Sequence, residues 1–406
     1  MKEGWKYKKL GDVIDHLRTG LNPRTHFKLN TPDAEGYYIT VRELKGFSIE
    51  PDEKTDKVNS AAIKRINERS NLKPGDVLFS GTGTIGKTAL VNELPENWNI
   101  KEGVYAMTPK HSELNSKYFI YYIGSDSFLH LVNDKATGTG VRSIPMKELV
   151  KLPISVPPLP EQERIVERLD AAFAQIDELK SNAEKQLAEA RALFQSALTQ
   201  AMQPKPGWKS CKFNEIIDNL RTGLNPRTHF KLNTSDSVGY YITVRELKGF
   251  TFEVDKRTDR INKDAIKRIN ERSNLKIGDV LYSGTGTIGK TALVQELPTW
   301  WNIKEGVYAI TPKANILDSS FLIYAMHSDY FMSEVLSKTS GTTVRSIPMK
   351  MLKEIVLSIP LITEQQAIVE HLDALSNNVK ELEEISRKTA AECDAMKQAL
   401  LRQIFE

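Results

Sequence analysis

The chain has 406 residues, of which 40% are hydrophobic and 27% are charged, and this composition fits two or three globular domains with a sizeable core. The formal net charge is only +4, so overall charge excludes no class of partner and any case for an anionic partner depends on local clusters of cations. Cys211 and Cys393 lie far apart, without Cys or His neighbours at metal-ligand spacing. No run is apolar enough for a leader or a membrane span, so we expect a reduced, cytoplasmic protein without disulfides.

Residues 1–154 mix short β-like runs with Gly, Asn and Pro. The runs Tyr37–Val41 (YYITV) and Asp76–Ser80 (DVLFS) predict strands, whereas Ser116–Val132 (SKYFIYYIGSDSFLHLV) has the pattern of helices. The sequence therefore predicts an α+β globule for this part of the chain.

A basic segment, RTGLNPRTHFK, spans Arg18–Lys28 and contains no acidic residue. Its Gly20, Asn22 and Pro23 predict a loop. Side chains of these types read base edges and bind phosphates in nucleic-acid complexes, so we expect the loop to bind nucleic acid. For any one arginine, a merely solvated surface charge stays open. The candidate DNA-binding residues here are Arg18, Thr19, Asn22, Arg24, His26 and Lys28.

Further cations follow in the segments VRELKG, IKRINER and TGTGVRS, the last of which has a flexible Gly-Thr run. The candidate DNA-binding residues in these segments are Arg42, Lys45, Lys64, Arg65, Arg69 and Arg142. Glu43, beside Arg42, is predicted either to orient that arginine or to accept a hydrogen bond from a cytosine amino group, and the sequence does not separate these roles.

The stretch Gly81–Leu90, GTGTIGKTAL, satisfies the P-loop pattern of nucleotide-binding proteins. A P-loop needs a strand before it and a helix after it, yet Lys87 is followed by the β-like TALV and then by Pro95. The sequence therefore predicts a strand, a Gly-rich turn and a second strand. We expect Thr82, Thr84 and Lys87 of that turn to contact DNA, and a nucleotide-dependent enzyme is the less favoured alternative.

A proline-rich segment, SVPPLPEQ, ends this part of the chain, and a long amphipathic helix is predicted after it. The apolar positions repeat every ~3.6 residues over about 40 residues, so the helix is nearly straight and about 60 Å long. They are Ile165, Leu169, Ala172, Ile176, Leu179, Ala183, Leu187, Ala190, Phe194, Leu198 and Ala201. Because one helix cannot bury its own stripe, we expect two such helices to pair as a stalk. Packing of each helix on its own globule is the alternative.

The chain then repeats itself at a constant offset of 203 residues, so that LRTGLNPRTHFKLN from Leu17 returns from Leu220. The predicted domains are head 1 (1–157), a first helical region (158–203), head 2 (204–360) and a second helical region (361–406). The second stripe comprises Ile368, Leu372, Leu375, Val379, Leu382, Cys393, Met396 and Leu400, interrupted by Ser386 and Thr389. The candidate DNA-binding residues of head 2 are Arg221, Thr222, Asn225, Arg227, His229, Lys231, Arg245, Lys248, Lys267, Arg268, Arg272, Thr285, Thr287, Lys290 and Arg345.

No set of residues in the sequence forms a catalytic or metal-binding pattern. There is no His/Cys/Glu set for zinc, no Gly-x-Ser-x-Gly elbow, and no Asn-Pro-Pro-Tyr/Phe segment of the kind that adenine methyltransferases use. The sequence therefore predicts a protein that binds rather than catalyses, with no catalytic or metal-ligating residue.

Two segments carry a family resemblance: GDVLFSGTGTIGKTALV, and RSIPMKELVKLPISVPPLPEQERIVERLDA with its second copy RSIPMKMLKEIVLSIPLITEQQAIVEHLDA. Over all 406 residues the chain resembles a specificity subunit of a type I restriction–modification system. The resemblance implies two target-recognition domains and two helical regions that dock two methyltransferase subunits and ATP-driven restriction subunits. S-adenosylmethionine, ATP and Mg would be bound by those partners. Leu361–Thr363 (LIT) departs from the proline-rich pattern, which puts the symmetry of docking in doubt.

The order head, helix, head, helix also predicts the architecture. A second unit related to the first by an approximate two-fold axis must send its helix back. We therefore expect an α+β protein with two similar DNA-recognition domains, joined by two antiparallel helices as a pseudo-two-fold coiled-coil stalk. Identical readers about a two-fold axis predict an interrupted palindrome, with half-site centres about one turn or ~34 Å apart. A stand-alone two-headed DNA-binding regulator, dimerised by its stalk, is the other alternative.

Overall fold

The computed structural model describes residues 4–24, 26–93, 96–227, 229–341 and 344–405, so Pro95 lies outside the described residues. The chain divides into two compact units. Unit 1 is Met1–Ala183 with Ser386–Glu406, and unit 2 is Glu184–Ile385. Each unit therefore holds one head and a part of each of two long helices, and each mixes helices with sheets as the sequence predicts.

Head 1 has eleven strands, four α-helices and one 3-10 helix (Leu10–Asp12) within its described residues. The strands are β1 (Lys6–Lys9), β2 (Ile14–Thr19), β3 (Gly36–Ile39), β4 (Leu44–Lys45), β5 (Ser48–Ile49), β6 (Lys57–Val58), β7 (Val77–Ser80), β8 (Thr88–Leu90), β9 (Trp98–Ile100), β10 (Val104–Pro109) and β11 (Pro153–Val156). The helices are α1 (Ser60–Ser70), α2 (Ser116–Ile123), α3 (Asp126–Lys135) and α4 (Met146–Leu149).

The centre of head 1 is a four-stranded antiparallel sheet in the order β2–β10–β7–β8. A second sheet, β6–β3–β9, pairs β3 with β9 in parallel, and the pairs β1–β11 and β4–β5 complete the strands. From Tyr118 to Ile123 helix α2 is hydrophobic on every face and buried, as expected of a helix inside a core. Its N-cap is Asn115, whose side chain accepts from the amides of Lys117 and Tyr118.

Head 2 repeats this arrangement. Its strands are β12 (Lys209–Lys212), β13 (Ile217–Thr222), β14 (Gly239–Ile242), β15 (Arg260–Ile261), β16 (Val280–Ser283), β17 (Thr291–Leu293), β18 (Trp301–Ile303), β19 (Val307–Pro312) and β20 (Val356–Ile359). Its helices are α6 (Phe213–Ile216), α7 (Lys263–Ser273), α8 (Ser319–His327), α9 (Asp329–Ser337) and α10 (Met349–Lys353). The sheet order β13–β19–β16–β17 matches that of head 1, and β14 pairs β18 in parallel.

The predicted hairpin at the P-loop pattern is confirmed. Strands β7 and β8 pair antiparallel, with Phe79 opposite Thr88, and β8 leads into no helix before residue 93. The turn begins at Gly81, where the backbone passes close to the Tyr105 ring. Glycine suits this position because a Cβ would lie 2.1 Å from that ring. Without a helix amino terminus behind the loop, the cradle that a P-loop offers to phosphates is missing.

Two helices of 44 residues follow the heads, α5 (Leu159–Met202) and α11 (Ile362–Phe405), each about 66 Å long at 1.5 Å per residue. In unit 1 they run antiparallel. Lys397 Nζ lies 2.6 Å from Asp177 Oδ1, and Lys180, further along α5, lies 3.5 Å from Asp394, which comes earlier on α11. In unit 2 the two helices also pair, and Arg191 Nη2 lies 2.6 Å from Glu383 Oε1. The antiparallel pairing predicted from the repeat is confirmed by the contacts in unit 1.

The helices also pack on the heads, so the alternative of packing on the globule holds in addition to pairing. In unit 1, Phe173 stacks on Phe47 at 6.0 Å between ring centroids and meets Tyr121 edge-on. Two stripe positions are predicted wrongly: Leu179 is 55% and Met396 is 49% exposed. The periodic stripe marks one face of a helix, but burial follows the places where a head or the second helix covers that face.

Candidate nucleic-acid interface

The basic loop of head 1 is held by apolar anchors and displays its cations. Gly20 lies against the backbone of β9, where a Cβ would come 1.8 Å from Ile100 O. Tyr38 Oη donates to Leu21 O at 2.7 Å, and the Phe27 ring packs edge-on against Tyr38 at 5.6 Å. Among the described residues of this loop, the exposed side chains are those of Arg24, His26 and Lys28, and the same positions of head 2 expose Arg227, His229 and Lys231.

Helix α1 adds a second row of exposed cations beside this loop, and Arg65 joins the two. Its Nη1 donates to His26 O at 2.9 Å, and in head 2 Arg268 Nη1 donates to His229 O at 2.7 Å. Lys64, Arg69, Lys267 and Arg272 are exposed on the same helices. The structure therefore brings the basic loop and the IKRINER segment together, as one surface on each head.

The prediction that Arg18 and Thr19 belong to an exposed loop is wrong, and so is its counterpart for Arg221 and Thr222. These residues end strands β2 and β13. The Arg18 side chain is 13% exposed and donates to Asp76 Oδ2 at 2.7 Å, while Arg221 bonds to Asp279 at the same distance. Both threonines are buried. These four side chains hold the central sheet together rather than face a ligand.

Arg42 is oriented by Glu43, which decides between the two predicted roles of that carboxylate. Glu43 is 1% exposed, and its Oε1 accepts from Arg42 Nε at 2.8 Å. Its Oε2 accepts from both the amide and the hydroxyl of Thr40 at 2.8 Å. Burial alone would raise the pKa of Glu43, yet the hydrogen bonds from Thr40 and Arg42 lower it below its ordinary value. A buried carboxylate engaged in this way cannot reach a cytosine.

Head 2 has the same clamp on its arginine. Arg245 Nε donates to Glu246 Oε1 at 2.8 Å, and Glu246 is 2% exposed. About half of the arginine side chain stays exposed in each head, 51% for Arg42 and 48% for Arg245. The clamp therefore presents an ordered guanidinium at the surface, which favours directional hydrogen bonding.

The Gly-rich turn and the segment that carries Arg142 form one structure. Gly83 N donates to Arg142 O at 2.8 Å, Ile144 N donates to Gly81 O at 2.9 Å, and Thr82 pairs with Ser143 in a β-bridge. Arg142 Nη2 donates to Asn133 O at 2.8 Å. The predicted DNA-binding residues that are exposed here are Thr82, Thr84, Lys87 and Arg142 and, in head 2, Thr285, Thr287 and Arg345.

A short turn between β9 and β10 connects these parts, and sequence reasoning missed it. Lys101 N donates to Ile39 O at 2.8 Å, beside the Arg42 loop, and Gly103 O accepts from Gly81 N at 2.8 Å. Glu102 lies 3.5 Å from Arg69. In head 2 a cleft of ≈ 280 Å³ is lined by Thr243, Val244, Arg245, Asp259, Thr285, Lys304, Glu305, Gly306 and Val307. The segment NIKEGVYA, identical in both copies, was the available signal.

The remaining predicted residues divide by exposure. Lys45 and Lys248 are exposed, whereas Asn22, Asn225 and Lys290 are half-buried. Among the described residues, no group of three or more His, Cys, Asp or Glu side chains is placed to hold a metal ion. Within the same described ranges, no helix has the length and apolar character needed to cross a membrane.

Known proteins match both copies of the repeat. The family described as Type I restriction modification DNA specificity domain matches residues 2–189 and 206–392. The type I restriction enzyme EcoBI specificity subunit of Escherichia coli is 22% identical over 80% of this chain and 71% of its own length. The type I restriction enzyme MjaVIII specificity subunit of Methanocaldococcus jannaschii is 22% identical over 98% of this chain and 91% of its own length.

Solved structures share the fold along the whole chain. A chain from a study of complex assembly and conformational transition of the type I R-M system matches with a TM-score of 0.68 and 19% identity, covering 100% of this chain and 98% of that one. The HsdS subunit from Thermoanaerobacter tengcongensis matches with a TM-score of 0.51 and 19% identity, covering 100% and 97%. At such identities these two matches describe the fold.

Proposed function

Because the chain belongs to the type I restriction–modification DNA specificity family, we propose that it is the subunit that directs methyltransferase and restriction subunits to a bipartite DNA site. One observation carries the proposal. Each head joins the basic loop, α1 or α7, the clamped arginine and the Gly-rich turn into one surface rich in exposed cations. Such a surface suits the phosphates and base edges of duplex DNA.

We further propose that the two half-sites are alike and inverted, which gives an interrupted palindrome. The support is that the exposed residues of the basic loop are of identical type in both heads. They are Arg24, His26 and Lys28 in head 1 and Arg227, His229 and Lys231 in head 2. Equal side chains on equal scaffolds present equal donors and acceptors to the groove.

The proposed partners are two methyltransferase subunits and ATP-driven restriction subunits. In this proposal the partners bind S-adenosylmethionine, ATP and Mg, and this chain supplies recognition without catalysing a reaction. The DNA recognition proposed for this chain is supported by its exposed cations and hydroxyls, which are groups that bind a DNA backbone.

Methylation mapping tests the proposed function. Genomic DNA from cells that carry this chain with its methyltransferase partner is sequenced for methylated adenine, and the same cells without this chain serve as control. We expect one motif with two short, identical, inverted halves and one methylated adenine per strand. A motif with unlike halves would contradict the palindrome. A chain that binds DNA but co-purifies with no methyltransferase would instead be a stand-alone regulator.

A further inference from the structure

Each head exposes one valine at the same place. Val141 is 67% exposed and Val344 is 57% exposed, and each immediately precedes an exposed arginine, Arg142 or Arg345. An exposed aliphatic side chain has no hydrogen bond to offer, so its contribution to a surface is apolar contact alone.

The backbone holds these valines beside the Gly-rich turn. In head 1 the carbonyl of Arg142, the residue after Val141, accepts from Gly83 N at 2.8 Å. In head 2 the equivalent bond, from Gly286 N to Arg345 O, is 2.9 Å. Behind the turn, Tyr105 Oη donates to Ile144 O at 2.7 Å, and Tyr308 Oη donates to Ile347 O at 2.7 Å. The place of each valine is therefore fixed relative to the turn that carries the threonines and the lysine.

Val238 and Ile277, two other exposed aliphatic residues of head 2, have no such counterpart. Val238 stands where head 1 has Glu35, and Ile277 stands where head 1 has Pro74. The valine beside the Gly-rich turn is thus an exposed apolar side chain that both heads share, and it lies among cations. Those surroundings favour a nucleic acid over an apolar protein surface as its partner.

We propose that Val141 and Val344 each contact the 5-methyl group of a thymine, one in each half-site. In the major groove that methyl group is the apolar feature that distinguishes thymine from the other bases. Side chains that wedge between base steps are longer, such as Phe, Leu, Ile or Met, whereas valine reaches only as far as a base edge. This inference rests on the proposed function and adds a base to the half-site.

The test removes the proposed methyl contact either from the DNA or from the protein. Duplexes carrying the mapped site are made with deoxyuridine in place of each thymine in turn, symmetrically in both halves, and their affinity is measured for the parent and for V141A/V344A. For the parent we expect about a fourfold loss per half-site at one thymine position, the value of one buried methyl group. For V141A/V344A we expect weaker binding to the thymine duplex and no further loss with deoxyuridine, which is the signature of coupling.

I277A serves as the matched control, because it also truncates an exposed aliphatic side chain of head 2. It should bind like the parent and lose affinity with deoxyuridine as the parent does. The inference is overturned if the parent is indifferent to every thymine-to-deoxyuridine change, if the variant loses as much as the parent, or if the mapped half-sites contain no thymine. Failure of the parent to prefer its mapped site over unrelated duplex would overturn the proposed function as well, so the two failures are distinguishable.

Discussion

Head 1 and head 2 share the ion pairs that hold their internal scaffold together. The buried Arg18–Asp76 pair and its counterpart Arg221–Asp279 both span 2.7 Å, and the clamps on Arg42 and Arg245 both span 2.8 Å. The cations of the basic loop are also the same letters. A ligand bound through these groups would therefore meet the same side-chain chemistry in both heads.

The heads differ in the charge of a segment beside those shared groups. Residues 52–61 of head 1 contain two basic and three acidic side chains, a net charge of −1, whereas residues 255–264 contain four basic and three acidic ones, a net charge of +1. The segment flanks the arginine clamp, since Arg42 Nη2 donates to Lys54 O and Arg245 Nη2 donates to Arg257 O. Under the proposed function, this comparison predicts that the shared cations set the base preference of both heads and that the differing segment changes the affinity for the DNA backbone.

The largest expected effect comes from breaking the shared scaffold. Arg18→Ala or Arg221→Ala leaves a buried aspartate without its ion-pair partner, so each should lower the free energy of unfolding of its own head by about 3–5 kcal/mol. Urea denaturation followed by fluorescence checks this. The exposed Arg24→Ala is the control and should change stability by less than about 0.5 kcal/mol. Wild-type stability in Arg18→Ala would show that the pair matters little, and unequal losses would break the equivalence of the heads.

The next effect concerns DNA binding by the basic loops. Arg24→Ala and Arg227→Ala should each weaken specific DNA binding by about 1–3 kcal/mol, and by equal amounts if the heads read the same bases. Fluorescence anisotropy on the mapped duplex measures both losses. Arg164→Ala is a matched control, because Arg164 is 73% exposed on α5 and pairs with Glu161 at 2.8 Å. A double variant that binds like the parent would show that the basic loops are not part of the DNA interface.

Local sequence patterns were sufficient for the hairpin at Gly81 and for the two long helices. The pattern at Arg18 was not, because its partner Asp76 lies 58 residues away and only the folded sheet brings the two together. The role of Glu43 likewise depended on its burial, a tertiary property. Periodicity also placed Leu179 in a buried stripe, but it could not show where along α5 the cover from neighbouring elements ends.

A smaller effect is expected at the Gly-rich turn. Lys87→Ala and Lys290→Ala should each reduce the steepness of the dependence of log K on log salt by up to about 0.9, the value of one phosphate contact on B-DNA. The exposed Lys185 of α5 provides the control, since Lys185→Ala should leave the slope unchanged. Partner ATPase activity should not respond to Lys87→Ala. A loss of ATP binding by the isolated chain in that variant would revive the P-loop interpretation.

The smallest effect tests the electrostatic difference between the heads directly. Glu53 and Lys256 are exposed at equivalent positions of the differing segments, so Glu53→Lys gives head 1 the charge of head 2, and Lys256→Glu does the reverse. Glu53→Lys should steepen the salt dependence by at most about 0.9 and Lys256→Glu should flatten it by a similar amount. The double exchange should restore the parent slope, because the sum of charge over both heads is unchanged.

None of the three variants should alter the preferred bases, since the side chains that are proposed to read them are untouched. Titration of each variant against the mapped duplex and against single-base changes in either half-site measures both properties at once. Unchanged slopes would place these segments away from the DNA, and a changed base preference would show that the differing segments read the sequence themselves.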